Sequence, residues 1–242
     1  MNHGPLLFLG VFFALAASWC GLVLAPQLQL GSQGAVPAKG SQLYPSPRPG
    51  SANQGKEVYR ANGCYYCHTQ QVIPRTAGAD IERGWGKRYS VAQDYLVDQP
   101  LMLGHLRTGP DLANIGLRLP DDETRTNFVW HLKHLYNPRV TSPGSIMPSY
   151  PFLFEKRPLT RGKRSEDALE LTGQLAPESG FEIVPRLEAK ALVAYLFSLQ
   201  AETPLFESPI PAPASAAAGD TNAPPVAGTN APASTETNAP RK

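Results

Sequence analysis

Cys64-Tyr65-Tyr66-Cys67-His68 lies near the first quarter of a 242-residue chain and decides how the rest is read. Two thiols three positions apart, followed at once by an imidazole, are what covalent haem attachment requires. Each thiol adds across one vinyl group of the porphyrin, and the two-residue spacer sets the sulfurs one ring edge apart. The adjacent His68 then reaches the iron as proximal ligand. Two other chemistries use paired thiols. A structural zinc site wants four ligands, usually a second cysteine pair or a distant histidine pair at metal spacing. The chain has 3 cysteines in all, and the third, Cys20, lies in an apolar run. A thioredoxin-like dithiol opens a helix after a buried strand, where the helix N-terminus lowers a thiol pKa. Here the motif closes a helical pattern and no apolar strand precedes it. The reading is one covalent haem c, held by Cys64, Cys67 and His68.

Immediately before the motif, residues 51–63 (SANQGKEVYRANG) predict a short helix, capped by Ser51, ended by Gly63 and turning Val58 and Tyr59 inwards. Gly55 and Tyr59 are four apart and share a face, and the glycine lets another helix cross closely. The partner is residues 186–200 (RLEAKALVAYLFSLQ), entered after Pro185. There Leu187, Ala191, Leu192, Tyr195, Leu196 and Leu199 line one stripe at helical spacing. Two terminal helices crossing beside a haem resemble the class I cytochromes c.

After the motif no period is sustained until the element Gly109-Pro110-Asp111-Leu112. A proximal histidine needs an acceptor for its other ring nitrogen, which fixes the tautomer and tunes the iron. Proline has no N–H and a fixed φ, so it presents a free carbonyl from a stiff loop. In the class I cytochromes a Gly-Pro-x-Leu element similar to this one does that job, so Pro110 is the candidate acceptor, and Leu112 of the same element is a further haem-binding candidate. Arg75, Arg83, Lys87, Arg88 and Arg107 are candidates for the haem propionates, against the plainer reading that each is a solvated surface charge.

Further on, residues 126–136 (TNFVWHLKHLY) predict a helix ended by Asn137-Pro138, with Phe128, Leu132 and Leu135 facing the core. His131 and His134 share its face, but no third ligand is spaced for them. The loop Ser145-Ile146-Met147-Pro148-Ser149-Tyr150 then supplies a thioether. Only Met102 and Met147 follow the initiator, and Pro148 restricts the backbone at Met147 to extended conformations. Met147 is therefore the expected distal ligand, ahead of Met102, His105, His131 and His134; a thioether there raises the potential.

Flanking segments set the organisation. No Asp, Glu, Lys or Arg occurs before Lys39, and residues 5–25 are almost continuously apolar, about the ~20 residues that cross a bilayer core as a helix. A cleaved signal peptide would want a basic start and a shorter apolar region. The expectation is a retained single-pass anchor over 1–25, with Trp19 near its outer end. A Pro/Gly-rich tether follows over 26–50, then a mono-haem domain over 51–203. Beyond it lies a disordered tail over 204–242, in which Thr-Asn-Ala-Pro recurs at 221, 229 and 237. Residues 155–185 read as charged loop, with Lys156, Arg157, Arg161, Lys163 and Arg164 as a basic cluster. A net charge of +2 gives no hint of nucleic acid, and 25 prolines with 21 glycines predict long loops. The fold class expected is mainly α: one N-terminal transmembrane helix followed by a class I cytochrome c-like haem domain.

Taken together, VYRANGCYYCHTQ, RYSVAQDYLVDQP, RTGPDLANIG, WHLKHLYNPR and SIMPSYPFL, in that order from Val58 to Leu153, resemble subunit II of the cbb3-type cytochrome c oxidases, their membrane-anchored mono-haem cytochrome c. The segment after His68 is longer than that family's pattern. The resemblance implies an electron relay, without bond chemistry of its own, between another cytochrome c and the haem–copper subunit I that reduces oxygen. Its place would be the bacterial inner membrane, with the haem domain on the periplasmic side. Other readings are an independent tethered cytochrome c, the similar subunit of nitric oxide reductase, or a haem sensor with an open sixth position.

Overall fold

The computed structural model describes residues 2–38, 42–118 and 124–210, with the side chains of 124–127 excepted. It is mainly α, with one apolar helix followed by a haem-domain fold with long loops, as the sequence predicts. Of the tail expected to be disordered over 204–242, residues 204–210 are instead packed on the domain, with Leu205 and Ser208 buried and Ser208 Oγ donating to the Tyr89 carbonyl at 2.7 Å, and the part from residue 211 on lies outside the described residues.

The first helix runs as α1 (Gly4–Trp19), one π turn (Cys20–Leu24) and α2 (Ala25–Leu30). It spans 27 residues, its most apolar 18-residue stretch has a mean hydropathy of 2.3, and that stretch buries nothing against the protein, so the helix is long and apolar enough to cross a membrane. It was expected to stop before Pro26 and instead passes through it. Proline lacks an N–H and crowds the carbonyl four residues back. The wider π turn, in which the Ala25 N–H bonds Cys20 O, absorbs that conflict without ending the helix. Trp19 consequently lies mid-helix rather than near its outer end.

The stretch expected to be a free tether is also tied down. β1 (Val36–Pro37) pairs antiparallel with β2 (Leu43–Tyr44). Tyr44 donates to Asp94 at 2.6 Å, and Gln93 Nε2 reaches the Gly34 carbonyl at 2.5 Å. Arg48 and Lys56 both reach Asp98 at 2.6 Å in a largely buried cluster.

Two helices frame the domain. α3 (Gly50–Ala61) begins after Pro49, one residue earlier than predicted, and no side chain caps it. α6 (Leu187–Ser198) crosses it, burying Ala189, Ala191, Leu192, Val193, Tyr195 and Leu196. At the crossing, a Cβ on Gly55 would overlap the Ala191 carbonyl and lie 2.8 Å from Tyr195 Cβ. Tyr59 meets Tyr195 edge-on at 5.3 Å. Of the predicted stripe, Leu187 is the exception at 81% exposure, because it is the first helical residue and lies before the crossing.

α4 (Thr124–Tyr136) adds Leu132 and Leu135 to this core, with Phe128 packed against it. It ends as expected at Asn137-Pro138, which starts the one-turn α5 (Pro138–Thr141). Residues 155–185 are not loop throughout. β3 (Phe154–Pro158) and β4 (Phe181–Pro185) pair antiparallel, Phe154 opposite Pro185 and Pro158 opposite Phe181. Between them Leu169 N–H bonds the Ile183 carbonyl, and Leu169 and Leu171 enter the core. Glu182, 1% exposed, holds this excursion by accepting from Arg157 Nε at 2.8 Å and Ser165 N at 2.7 Å. Of the basic cluster, Arg157 and Lys156 thus serve ion pairs to Glu182 and Glu178, while Arg161, Lys163 and Arg164 are exposed.

Candidate haem site

α3 ends in Asn62 and Gly63, whose φ of 67° is the left-handed conformation a glycine adopts freely. The chain then turns through Cys64–Tyr66, with the His68 N–H bonded to Cys64 O at 3.0 Å. One short turn thus carries both thiols and the imidazole. Neither cysteine is in a disulfide; Cys64 is half-buried and Cys67 exposed. Burial pushes the Cys64 thiol up to about 12. A dithiol oxidoreductase needs the opposite shift, towards thiolate.

His68 Nδ1 lies 2.8 Å from the Pro110 carbonyl. That bond makes Nδ1 the donor and leaves Nε2 with its lone pair to face a metal. Burial lowers the His68 pKa, with the Pro110 bond opposing, so the ring is held neutral as a ligand must be. Gly109 lies flat against the same ring, where a Cβ would sit 2.7 Å from Nδ1 and 2.8 Å from Nε2. Gly104, at φ 89°, crosses the backbone just after His68, where a Cβ would be 2.6 Å from Thr69 Cα. These two glycines, and Asp111 between Pro110 and Leu112, were not singled out from the sequence. The only prior signal was their place around the proline element.

Leu112 is buried, and its N–H bonds Thr69 O at 2.7 Å, tying the proline loop to the segment leaving the motif. The remaining candidates distribute as follows. Met102 is 5% exposed in the core, whereas Met147 is half-buried against the core's edge, its N–H on Ser145 Oγ. In the same loop the Tyr150 hydroxyl is raised to about 12, first by burial and then by Cys64 and Cys67. The loop therefore lies near the motif. His105 stacks on Tyr66 at 5.5 Å, on the motif's own spacer. His131 is buried edge-on to Trp130 and beside Phe197. His134 stacks on Trp130 at 4.8 Å and meets Thr141 Oγ1 at 2.6 Å. Among the described residues no cluster of three or more His, Cys, Asp or Glu is placed for a metal ion.

Most of the propionate candidates already serve protein carboxylates. Arg75 pairs with Glu82, Lys87 with Glu202 and Arg107 with Asp80. Arg88 is neither a solvated charge nor open to a ligand. At 1% exposure it is spent on Asp94 and the Thr203 carbonyl. Arg83 lies over the Trp85 ring at 4.9 Å.

His134 makes the site's stability depend on pH. Burial, with His131 and His68 adding repulsion, lowers its pKa to about 4, against ~6.5 in an unfolded chain. Between those values the unfolded form binds more protons, so stability rises with pH up to about 6.5 and is flat above it. Denaturant melts at pH 7 and pH 4.5 should show wild type losing about 2 kcal/mol more than His134→Gln, after discounting for partial exposure. Equal losses would mean that His134 charges freely.

Two unpaired thiols on one turn, a neutral imidazole with Nδ1 engaged and a glycine against its face fit one haem. Crossed terminal helices and this site define a mono-haem cytochrome of class I type, and the apolar N-terminal helix fits a membrane anchor. The chain belongs to the family of the mono-haem cytochrome c oxidase subunit, FixO, whose model matches residues 5–176. No curated protein matches it. The family match stops before α6, which the fold nonetheless requires.

Proposed function

We propose that this chain is the electron-relay subunit of a cbb3-type oxidase, taking electrons from a cytochrome c and passing them towards the oxygen-reducing haem–copper subunit I. The observation that carries the reading is the 2.8 Å bond from His68 to Pro110 on a turn that also bears two free thiols. Cys64 and Cys67 would attach the haem covalently, and His68, through Nε2, and Met147 are the residues that would hold its iron. Bound there, the haem supplies a one-electron couple. Pro110 fixes the imidazole, Leu112 packs behind its loop, and Pro148 stiffens the loop of Met147. Ligands held in place this way change little between oxidation states, which favours rapid transfer. Met147 is favoured over Met102 because its side chain is half-buried at the core's edge, while that of Met102 is enclosed by protein.

In this reading residues 4–30 remain attached as the anchor, with no charge to interrupt them, and the haem domain lies on the periplasmic face of the bacterial inner membrane. The mature protein should begin at or near Met1 and resist alkaline washing; an N-terminus near residue 26 would mean a cleaved leader. The chain should copurify with a large polytopic haem–copper subunit and other cytochrome c subunits. Isolation without such a subunit would mean an independent tethered cytochrome. Met147→Ala should abolish the sulfur-to-ferric-iron band in the far red, lower the potential and slow electron delivery to the oxidase. Met102→Ala should keep the band but cost about 2–5 kcal/mol of stability as a core truncation. Reversed outcomes would make Met102 the ligand, and an unchanged spectrum in both would leave a histidine among 105, 131 and 134.

A further inference from the structure

The proximal side of the site holds a carboxylate to which the reading above gives no task. Asp111 follows Pro110 directly and is wholly buried, 0% exposed. Its Oδ2 accepts from Thr69 Oγ1 at 2.6 Å and from the Gln71 N–H at 2.7 Å; its Oδ1 accepts from the Ala113 N–H at 2.9 Å. Arg107 and Arg118 each stand 3.9 Å away. Neither is a close partner. Arg107 makes its short contacts to Asp80 and to the Gln71 carbonyl, and Arg118 donates to the backbone carbonyl of Asp111 itself.

A buried carboxylate is costly to desolvate and persists only where hydrogen bonds and nearby charge offset that cost. Here every short partner of the side chain is a donor, which suits an ionised carboxylate and not an amide. Asparagine would have to turn its NH2 towards at least one of these donors. The bonds also have a direction. They join residues 69 and 71, just after His68, to the loop that presents the Pro110 carbonyl. Backbone bonds from Gly109 N–H to Cys67 O at 2.9 Å and from Leu112 N–H to Thr69 O brace the same two segments. The imidazole therefore lies between residues 67 and 69, both tied to the loop that accepts its hydrogen bond.

We infer that Asp111 is a positioning residue for the proximal histidine, locking the His68–Pro110 bond and lowering the potential of the haem by its fixed charge. The inference rests on the reading that His68 ligates the iron. A firm Nδ1–H···O=C bond makes the imidazole a better donor to ferric iron. A nearby negative charge favours the ferric state as well. Weakening either raises the potential.

The test uses the full chain in detergent, with a redox titration and the electron paramagnetic resonance of the low-spin ferric state. Asp111→Asn should raise the ratio of reduced to oxidised haem at fixed ambient potential about tenfold, or 59 mV for a one-electron couple. Its g-values should shift as the ring plane loosens. Thr69→Val keeps the charge, loses one donor and should raise the ratio less, by about threefold. Asp111→Asn with normal haem, a ratio within roughly twofold of wild type and unchanged g-values would overturn the inference. Should Asp111→Asn fail to assemble, Thr69→Val decides alone, and an unchanged ratio and signal would overturn it equally. Failure of the underlying reading looks different. If the spectrum survives His68→Ala, His68 is no ligand and both proposals fall.

Discussion

Gly55→Leu should leave no folded haem domain, and Gly55→Ala should already cost about 3 kcal/mol or more, beyond the usual range for an inserted methylene. The reason is what a Cβ meets there. A side-chain neighbour can rotate away, but the Ala191 carbonyl belongs to α6, and Tyr195 Cβ is 2.8 Å off. Making room means parting α3 from α6, which would unpack Tyr59 from Tyr195 and expose Leu192 and Leu196. A domain of this size has only about 5–15 kcal/mol in hand. Gly50→Ala is the control. It lies in the first turn of the same helix with nothing within 4 Å of its would-be Cβ, and alanine is the better helix former. Thermal melts of the three variants should rank Gly50→Ala at or above wild type, Gly55→Ala well below it, and Gly55→Leu without a transition. A Gly55→Leu protein melting like wild type would mean that the helices do not cross here.

Cys64→Ala/Cys67→Ala should lose covalent haem completely. On a denaturing gel the wild-type chain should carry peroxidase-active haem at its own mass, and the double variant none. The single variants separate the two sites. Cys67 is exposed and Cys64 half-buried, so Cys67→Ala should retain one thioether and some stain. Haem that stays with the double variant would remove the basis of the proposed function. Apoprotein should still be exported and membrane-bound, because residues 4–30 do not depend on the motif.

Local chemistry was legible in the sequence. Thiol spacing, the neighbouring imidazole, the proline element and the apolar run act through covalent geometry or solvent preference, so a few contiguous residues suffice to recognise them. The helix crossing was legible too, since Gly55 and the stripe from Ala191 to Leu199 each carry a 3.6-residue period that needs burial on one side. β3 and β4 were not. FEKRP and FEIVP are five-residue pieces with charges and terminal prolines, and their pairing spans more than twenty residues of intervening chain. The fate of the charges was equally hidden. An arginine looks the same in sequence whether it is solvated or, like Arg88, enclosed with Asp94, because the partner that offsets its desolvation is brought by the fold. The same holds for the stretch before α3, where a proline-rich composition suggested a free tether and Tyr44, Arg48 and Gln93 pin it down. Around the haem site, sequence named candidates for contact with the iron and its porphyrin. Only the tertiary structure put Gly109 on the face of His68 and Asp111 behind it. Close approach and buried charge are properties of how distant segments meet, and no single segment records them.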